Sequence, residues 1–421
     1  MSLSVAYIAS NELARISSLL PSNKHRSSAV HSLIASLGLL REPGMRVVRP
    51  EKASYKDMAV YHAREYLDSV LDPTTGVGDD GGNRAEFGLE DDCPIFSGLH
   101  DYVPLVAGAS LTAARALITG EADIAISWDG GRHHAQKSHA SGFCYVADCV
   151  LALMALKRAP PIPIPATGPS APLTRKPRIM YIDLDLHFSD GVSQAFHVAS
   201  RAGESQILTM SIHHAAPGFF PISPLSQLPP SPPNTSGPFD PYTLSLPLHA
   251  GASSTTLARA WGIVEEVKRA YAPDYVVLQC GADGLAGDTC AMWNLDLEGM
   301  GECVRAVRGW VEGKEGTTED GEARVRGVLL LGGGGYNTPN VARAWASFTA
   351  IALGSPLPLD TPIPDHAGFP LYAPSFTLDV PAGTMQDRNS DTYLSEVGRR
   401  FEGVVRELEA RRRGVSAGAG M

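Results

Sequence analysis

Short runs of apolar, largely β-branched residues alternate along this chain with longer segments of helical pattern, and this alternation constrains the fold more than any other feature. Strands are predicted at residues 5–8, 123–127, 179–186, 206–212, 275–279 and 328–331. Helices are predicted at residues 106–118, 141–156, 254–269 and 297–312. The alternation predicts an α/β fold whose parallel sheet is covered by helices on both faces. Such sheets place their sites beyond the carboxyl ends of the strands.

The chain has 421 residues, of which 44% are hydrophobic, and this is enough for one large domain. We expect a catalytic domain over residues 1–370 and a C-terminal extension over 371–421 that packs on it or trails from it. Segments rich in proline or glycine at about 159–177, 222–241 and 313–322 are typical of inserted surface loops. A role for the proline-rich loops as docking peptides is the alternative.

Charge and cysteine usage exclude some classes of protein. The net charge of −10 does not suit a protein that coats nucleic acid, whereas it would attract basic protein tails. The six cysteines form no CxxC pair, so reduced thiols in the nucleus or cytoplasm are expected. The sequence shows no signal peptide and no apolar stretch of about 20 residues that would span a membrane.

The segment RIMYIDLDLHFSDG at 178–191 carries the strongest chemical signal. Alternate side chains of a strand share a face, so Asp183, Asp185 and His187 are expected to project together. Buried carboxylates need compensation, which a divalent cation supplies. A further carboxylate, Asp283 in the turn GAD after another strand, would complete a catalytic zinc site with an open position. The alternative for Asp183, Asp185 and His187 is a hydrogen-bonded polar strand end, and the alternative for Asp283 is an ordinary turn or helix cap.

Adjacent histidines follow a predicted strand in SWDGGRHHAQKSHASGFCY. Beside a metal site, His133 and His134 suit a general base, because imidazole titrates in the required range. Asp183 and Asp190 are available to orient the two imidazoles. Without a metal site, the pair would be ordinary polar loop residues.

Four glycines precede Tyr336 in LLLGGGGYN, without the Lys-Ser/Thr of a phosphate-binding loop. The glycines would let the backbone approach the site closely, and the Tyr336 hydroxyl would donate to a developing oxyanion. Phe143 and Phe220 are candidates for the walls of a narrow apolar tunnel that fits the methylenes of acetyl-lysine. Phe219 is expected in the core.

Taken together, the motifs make the chain resemble the class I zinc-dependent histone deacetylases, from Val5 to about His366. The resemblance rests on KHRSSAVHSLI, DDCPIFSGLHDY, HHA with SGFCY, YIDLDLH with DGV, PGFFP, QCGAD with LAGD, LGGGGYN and IPDH, in this order. It implies the arginase–deacetylase fold, an α/β sandwich with a parallel sheet of about eight strands.

The resemblance also implies roles for single residues. The zinc ligands would be Asp185, His187 and Asp283, and Tyr336 would be the transition-state hydrogen-bond donor. His134 would be the general base and later acid, and His133 its electrostatic partner, supported by Asp190 and Asp183 respectively. A structural potassium ion would bind at Asp183, Asp185, His187, Ser211 and Ile212, largely through main-chain oxygens. Substrate contacts would come from Asp92 on the rim, Gly142, Phe143, Phe220, Cys290 and, near an inner acetate pocket, Arg26.

The sequence departs from the family pattern in three places. Phe188-Ser189 stand where the family has His-Gly, which we expect to strain the turn. Arg132 replaces a commonly apolar residue and is expected to alter the acetate pocket. Cys290 replaces Leu or Met and would make the channel wall wider or more polar.

The sequence therefore predicts a deacetylase of acetylated histone tails or other acetyl-lysine proteins, with zinc and structural potassium. A corepressor complex is an expected partner, whereas direct nucleic-acid or membrane binding is not. The alternatives are an acetylpolyamine deacetylase, a weakly active acyl-lysine-binding scaffold, and a two-manganese ureohydrolase on the same fold.

Overall fold

The central sheet of the molecule contains eight parallel strands. In chain order, and including a separate two-stranded hairpin formed by β4 and β5, the strands are β1 (Val5–Ile8), β2 (Met45–Val48), β3 (Ile124–Ser127), β4 (Ile162–Pro163), β5 (Thr174–Arg175), β6 (Ile179–Asp183), β7 (Ile207–His214), β8 (Thr243–Leu248), β9 (Tyr275–Gln279) and β10 (Gly327–Leu331). The order across the sheet is β2-β1-β3-β10-β9-β6-β7-β8. The computed structural model describes residues 3–74, 85–163, 174–199, 203–230, 239–312 and 324–418, without the side chains of 414–418.

Helices connect the strands and cover both faces of the sheet. They are α1 (Asn11–Ser17), α2 (Arg26–Ser36), α3 (Tyr55–Met58), α4 (Arg64–Leu71), α5 (Leu99–Ile118), α6 (Asp148–Leu156), α7 (Asp190–Phe196), α8 (Ser254–Tyr271), α9 (Leu297–Gly309), α10 (Thr338–Leu353) and α11 (Asp391–Gly418). No helix in the described segments is long and apolar enough to cross a membrane.

Two hydrophobic clusters lie on opposite faces of the sheet. Along β9, Val276 and Leu278 belong to one cluster, and Val277 belongs to the other. This alternation follows from the period of two in a strand. Because both faces are buried, each central strand is apolar throughout, which explains why its sequence shows an unbroken apolar run. The α/β fold with a parallel sheet of eight strands, predicted from the sequence, is confirmed.

The boundaries of some predicted elements are wrong. Strand β6 ends at Asp183 rather than at residue 186, and helix α6 begins at Asp148 rather than at residue 141. The edge strands β2 and β8 were missed. β2 is half exposed and carries Arg46, and β8 contains Pro247, which is tolerated mainly at sheet edges.

The insertion predicted at 313–322 lies outside the described residues, as do residues 164–173 and 231–238 of the other two insertions. Near the C-terminus, helix α11 packs against α8. Its buried side chains recur at helical spacing and include Leu394, Val397, Phe401 and Val404. This helix therefore contributes to the core on one face of the sheet.

Four adjacent strands of the sheet position the site. β3, β10, β9 and β6 are neighbours and all parallel, so their carboxyl ends open onto one edge. The loops that follow these strands contain the twin histidines, the four glycines, Asp283 and the Asp185–His187 segment. The sheet therefore brings the predicted motifs together, as the rule for parallel sheets requires.

Candidate active site

The loop after β6 holds the first group of predicted metal ligands. Because β6 ends at Asp183, the prediction that Asp183, Asp185 and His187 share one face of a strand is wrong. Two successive turns position them instead. The Asp185 N–H donates to Asp183 Oδ1 at 3.0 Å, and the His187 N–H donates to Asp185 Oδ1 at 3.1 Å. Aspartates commonly stabilise turns in this way, so the carboxylates themselves shape the loop.

The loop after β9 brings Asp283 to the same place. His187 Nδ1 lies 3.0 Å from Asp283 Oδ2 and 3.2 Å from Asp185 Oδ1. The other oxygen of each carboxylate is already held. Asp283 Oδ1 accepts from the Leu186 N–H at 2.9 Å, and Asp185 Oδ2 accepts from Gln279 Nε2 at 2.9 Å. The three predicted ligands therefore converge, with one oxygen of each carboxylate facing the imidazole.

The electrostatics of this cluster fit a divalent cation. Burial and the charge of Asp185 raise the pKa of Asp283 to about 7. Burial disfavours a charged His187, but the two carboxylates outweigh it and raise the pKa of His187 to about 10. Two buried carboxylates this close need a compensating positive charge. Two oxygens and one nitrogen are a donor set that zinc accepts.

The glycine-rich loop after β10 approaches the carboxylates closely. The Gly334 N–H donates to Asp185 Oδ2 at 2.7 Å. A Cβ at Gly334 would lie 2.4 Å from Asp283 Oδ2, so no other residue fits. After this loop, Asp288 Oδ2 accepts from the Tyr336 N–H at 2.7 Å and holds the backbone of Tyr336 in place. The glycines thus allow the loop to bring Tyr336 to the site.

Tyr336 is placed as a hydrogen-bond donor. Burial and the charges of Asp283 and Asp185 raise its pKa well above the ordinary value, so its hydroxyl keeps its proton. Its ring packs edge-on against Phe143, with centroids 5.7 Å apart. Both residues line one cavity together with His134 and Asp185.

The twin histidines lie beside this cluster, each against its own carboxylate. His133 Nδ1 is 2.8 Å from Asp183 Oδ2, and His134 Nδ1 is 2.7 Å from Asp190 Oδ1. Asp190 Oδ2 also accepts from Gln136 Nε2 at 3.0 Å. The partners predicted from the sequence are therefore in contact. In each imidazole Nδ1 is engaged by a carboxylate, and His133 Nε2 also lies 3.7 Å from Asp185 Oδ1.

The two imidazoles differ in their preference for a proton. Burial opposes the charge on His133, but Asp183 and Asp185 raise its pKa to about 9. Burial and the neighbouring His133 lower the pKa of His134, in spite of Asp190. A neutral imidazole accepts a proton, so His134 is the better base of the pair.

Aromatic rings surround the histidines. Phe220 is 41% exposed, and its ring lies edge-on to His134 at 4.9 Å. Phe219, which we expected in the core, packs at the core edge but also stacks on His187, with centroids 5.1 Å apart and planes 11° apart. The sequence analysis did not predict the stacking of Phe219 on His187. The only signal for it was that Phe219 is adjacent to Phe220.

The turn at residues 141–144 shapes the cavity wall. Gly142 and Phe143 both have positive φ, 54° and 64°, which explains why α6 starts later than predicted. The Gly142 N–H donates to Asp92 Oδ2 at 2.7 Å. In this structure Asp92 therefore holds the wall of the cavity, and its predicted role as a rim contact for substrate stays a prediction.

Two buried arginines lie beside the cavity. Arg26 Nη1 donates to the carbonyl of Gly335 at 2.9 Å, and its guanidinium lies 4.9 Å from the centre of the Trp345 ring. Arg132 donates from Nε and Nη2 to the carbonyl of Asp129 at 3.3 and 3.0 Å. Arg132 lines the cavity that Tyr336 and the twin histidines share.

The other two departures from the family pattern also lie near the site. The expectation of a strained turn at Phe188-Ser189 is wrong, because Ser189 has φ −77° and Phe188 is not left-handed. The Cys290 thiol lies within 4.8 Å of ligand atoms of His187 and Asp283. Cys290 is half-buried, as a residue of a channel wall would be.

The residues predicted for a potassium ion come from adjacent strands. Ser211 of β7 pairs with Asp183 of β6 in the sheet. Ile212 follows in β7 and is fully buried. The Ser211 hydroxyl accepts from the Ser189 N–H at 3.4 Å. The predicted set is therefore contiguous, next to the three convergent ligands.

Comparison with known proteins gives consistent results. Residues 20–352 match the family described as Histone deacetylase domain. Histone deacetylase 8 of Xenopus tropicalis is 36% identical over 385 residues, covering 91% of this chain and 92% of that protein. Histone deacetylase 8 of Danio rerio is 36% identical over 413 residues, covering 96% of each. Histone deacetylase 2 of Oryza sativa subsp. japonica is 36% identical over 383 residues, covering 90% of this chain and 66% of that protein.

Proposed function

The chain belongs to the histone deacetylase family, and on this premise we propose that it hydrolyses the amide of Nε-acetyl-lysine in histones or other proteins with one zinc ion. Membership of the family makes it a hydrolytic protein lysine deacetylase. The observation that carries the zinc proposal is the convergence of Asp185, His187 and Asp283 on one point. The ion would bind through His187 Nδ1 and one oxygen of each carboxylate.

A bound zinc ion would polarise the acetyl carbonyl and acidify the attacking water. The protein residues then handle the protons. His134, held at Nδ1 by Asp190, takes the proton of the water at Nε2 and later gives it to the departing lysine amine. His133, held at Nδ1 by Asp183, lies beside His134 as its electrostatic partner. The Tyr336 hydroxyl donates to the oxyanion of the tetrahedral intermediate.

The walls of the cavity suit an alkyl chain that ends in a neutral amide. Phe143 and Phe220 would flank the methylenes of the lysine, with Gly142 between Phe143 and the base. Asp92 would contact the substrate backbone at the rim, and Cys290 would line the outer wall. Burial of an uncharged acetyl-lysine costs little, whereas a free lysine would bring an unpaired charge.

A potassium ion is proposed as a structural cofactor. It would bind at Asp183, Asp185, His187, Ser211 and Ile212, largely through main-chain oxygens. The support is the strand pairing that puts Ser211 opposite Asp183, immediately behind the proposed zinc ligands. An ion there would stabilise the loop that carries two of those ligands.

Basic, acetylated protein tails are the proposed substrates. The net charge of −10 favours encounter with such tails electrostatically. We propose action in the nucleus or cytoplasm, a role in chromatin regulation and transcriptional repression, and assembly into a corepressor complex. One catalytic domain over residues 1–370, with loop insertions and a C-terminal extension, remains the proposed organisation.

The alternatives are less favoured. A scaffold without catalysis would not require Tyr336 and a His134 that is held by Asp190 to line one cavity. A two-manganese ureohydrolase would need a second set of carboxylate ligands. An acetylpolyamine deacetylase would share the chemistry but act on a small cationic substrate.

A turnover assay tests the proposal. The metal-stripped protein is loaded with zinc and offered an acetyl-lysine histone peptide and N-acetylspermidine. We expect zinc-dependent release of acetate from the peptide at the higher kcat/KM. Turnover of acetylspermidine alone would favour the polyamine activity, and bound zinc without turnover of either substrate would favour the scaffold.

A further inference from the structure

Two buried guanidinium groups, those of Arg26 and Arg132, lie beside the catalytic cavity. The side chains of Arg26 and Arg132 are 3% and 5% exposed. Within the described residues, neither forms an ion pair, and their acceptors are the uncharged oxygens of Gly335 and Asp129 and, for Arg26, the Asn23 amide. Buried charges in proteins are ordinarily paired, so these two groups are arranged for an anion.

The nearest acids are engaged elsewhere. Asp129 Oδ2 lies 2.9 Å from His31 Nε2. Asp148 accepts from the Ser110 hydroxyl at 2.5 Å and from the backbone N–H of Gly131 and Arg132 at 2.9 and 2.7 Å. Burial and the charge of Arg132 lower the pKa of Arg26 to about 10, and an anion between the two groups would relieve this repulsion. Burial opposes the charge on Arg132, whereas Asp148 and Asp129 raise its pKa. Neither carboxylate forms an ion pair with a guanidinium in the described part of the chain, so a carboxylate from outside the protein could still bond to these groups.

The position of the two guanidinium groups relative to the catalytic residues indicates what kind of carboxylate could bind to them. Arg132 lines the same cavity as His134, Asp185 and Tyr336, and Arg26 bonds to the carbonyl that directly precedes Tyr336. An acyl group whose carbonyl accepts from Tyr336 would therefore lie close to both arginines. The methyl of an acetyl group has no acceptor for the guanidinium N–H groups, whereas a terminal carboxylate would accept from both arginines.

We propose that Arg132, with Arg26, forms a carboxylate subsite that selects lysines whose acyl chain ends in a carboxylate, of which malonyl is the shortest. This inference rests on the proposed deacylase function and names a substrate class for the same site. The reaction is the same hydrolysis. The water oxygen bonds to the acyl carbon, the C–N bond breaks, the amine receives a proton, and malonate leaves instead of acetate.

Matched acyl groups test the subsite. Isovaleryl has the branching of malonyl without its charge, so one peptide carrying acetyl-, malonyl- or isovaleryl-lysine isolates the effect of the carboxylate. We expect kcat/KM for malonyl to exceed that for isovaleryl by about tenfold or more, the size expected for charge-assisted hydrogen bonds. Arg132→Gln keeps a donor for the Asp129 carbonyl and should reduce this ratio to near one.

Arg343 provides the control, because it is also buried and donates to the backbone carbonyls of Tyr372, Ser375 and Thr377, outside the cavity. Arg343→Gln should leave the ratio at its original value. Equal turnover of malonyl and isovaleryl peptides by the wild-type protein, with acetyl turned over, would overturn the subsite but not the deacetylase. An unchanged ratio in Arg132→Gln would overturn it as well.

Binding supplies a measurement that does not need turnover. Tyr336→Phe, which removes the donor to the oxyanion, is titrated with the malonyl and isovaleryl peptides, alone and combined with Arg132→Gln. We expect about tenfold tighter binding of the malonyl peptide, lost in the double variant. Failure of the deacetylase proposal would appear as no turnover of any peptide, whereas equal affinities for the two peptides would reject the subsite.

Discussion

His187 Nδ1 lies 3.0 Å from Asp283 Oδ2, although 96 positions of sequence separate the two residues. Their contact depends on the register of two neighbouring strands, in which Asp183 at the end of β6 pairs with Gln279 at the end of β9. The loops that leave these strands then fold towards each other, and the Leu186 N–H donates to Asp283 to join them. The proposed metal site is thus a consequence of sheet pairing.

Replacement of Tyr336 by phenylalanine should remove one donor to the oxyanion and leave the fold intact. The ring keeps its packing against Phe143. We expect kcat to fall about 10²–10³-fold, the usual cost of losing such a donor, with zinc content unchanged. Tyr393→Phe, whose hydroxyl donates to the distant Pro247 carbonyl, serves as control. Steady-state kinetics showing equal kcat for Tyr336→Phe and wild type would exclude Tyr336 from the mechanism.

Substitution of Asp190 by asparagine should weaken the base. Asp190 holds His134 Nδ1 and accepts from Gln136, so an amide of the same shape leaves the packing intact but removes the negative charge. We expect kcat to fall about 10–100-fold, as for other residues that orient a reacting group. The pH profile of kcat should also change, because the carboxylate favours protonation of His134. Identical profiles would mean that Asp190 does not orient the base.

Gly142→Ala tests the wall beside the base. An added Cβ would lie 2.4 Å from His134 Cδ2, at a residue with φ +54°. We expect lower kcat together with a loss of about 1 kcal/mol of stability from the left-handed backbone. Gly38→Ala is the matched control, since Gly38 also has positive φ but no atom within 4 Å of the added Cβ. Equal kcat in the two variants would show that Gly142 does not position His134.

The buried His62 should make stability depend on pH. Burial lowers its pKa to about 4, from 6.5. Between these values the unfolded chain binds a proton that the folded chain does not, so acidification favours unfolding by up to about 3 kcal/mol. Urea unfolding at pH 7, 6 and 5 should show wild type losing stability relative to His62→Gln as the pH falls. A constant difference between the two proteins would contradict this.

The sequence predicted the central strands well, and for a physical reason. β1 and β9 are buried on both faces, so nearly all of their residues are apolar, and their predicted bounds match the observed ones. The edge strands β2 and β8 were not predicted. Each has a neighbouring strand on one side only, and this relaxes the requirement for an apolar run. The loop around Asp185 was predicted as part of a strand. Its turns are formed by the carboxylates of Asp183 and Asp185, and the alternation of polar and apolar residues there is the same as in a strand.

For the site, the sequence identified residues but not the contacts among them. The family resemblance implied the pairing of His134 with Asp190, and His134 Nδ1 lies 2.7 Å from Asp190 Oδ1. The stacking of Phe219 on His187, the bond from Gln279 to Asp185 and the role of Asp288 in holding Tyr336 were missed. Each depends on loops from different strands meeting, which no local pattern encodes.

The most direct test of the account is the zinc affinity of Asp283→Asn, measured by chelator competition together with elemental analysis. The substitution keeps the shape of the side chain and removes the charge that faces His187. We predict that the wild-type chain binds one zinc ion, and that Asp283→Asn binds it at least about a hundredfold more weakly. Asp274→Asn, a buried carboxylate beside β9 and away from the cluster, should keep wild-type affinity. Wild-type affinity in Asp283→Asn, or two manganese ions in place of one zinc ion per wild-type chain, would contradict the proposed site.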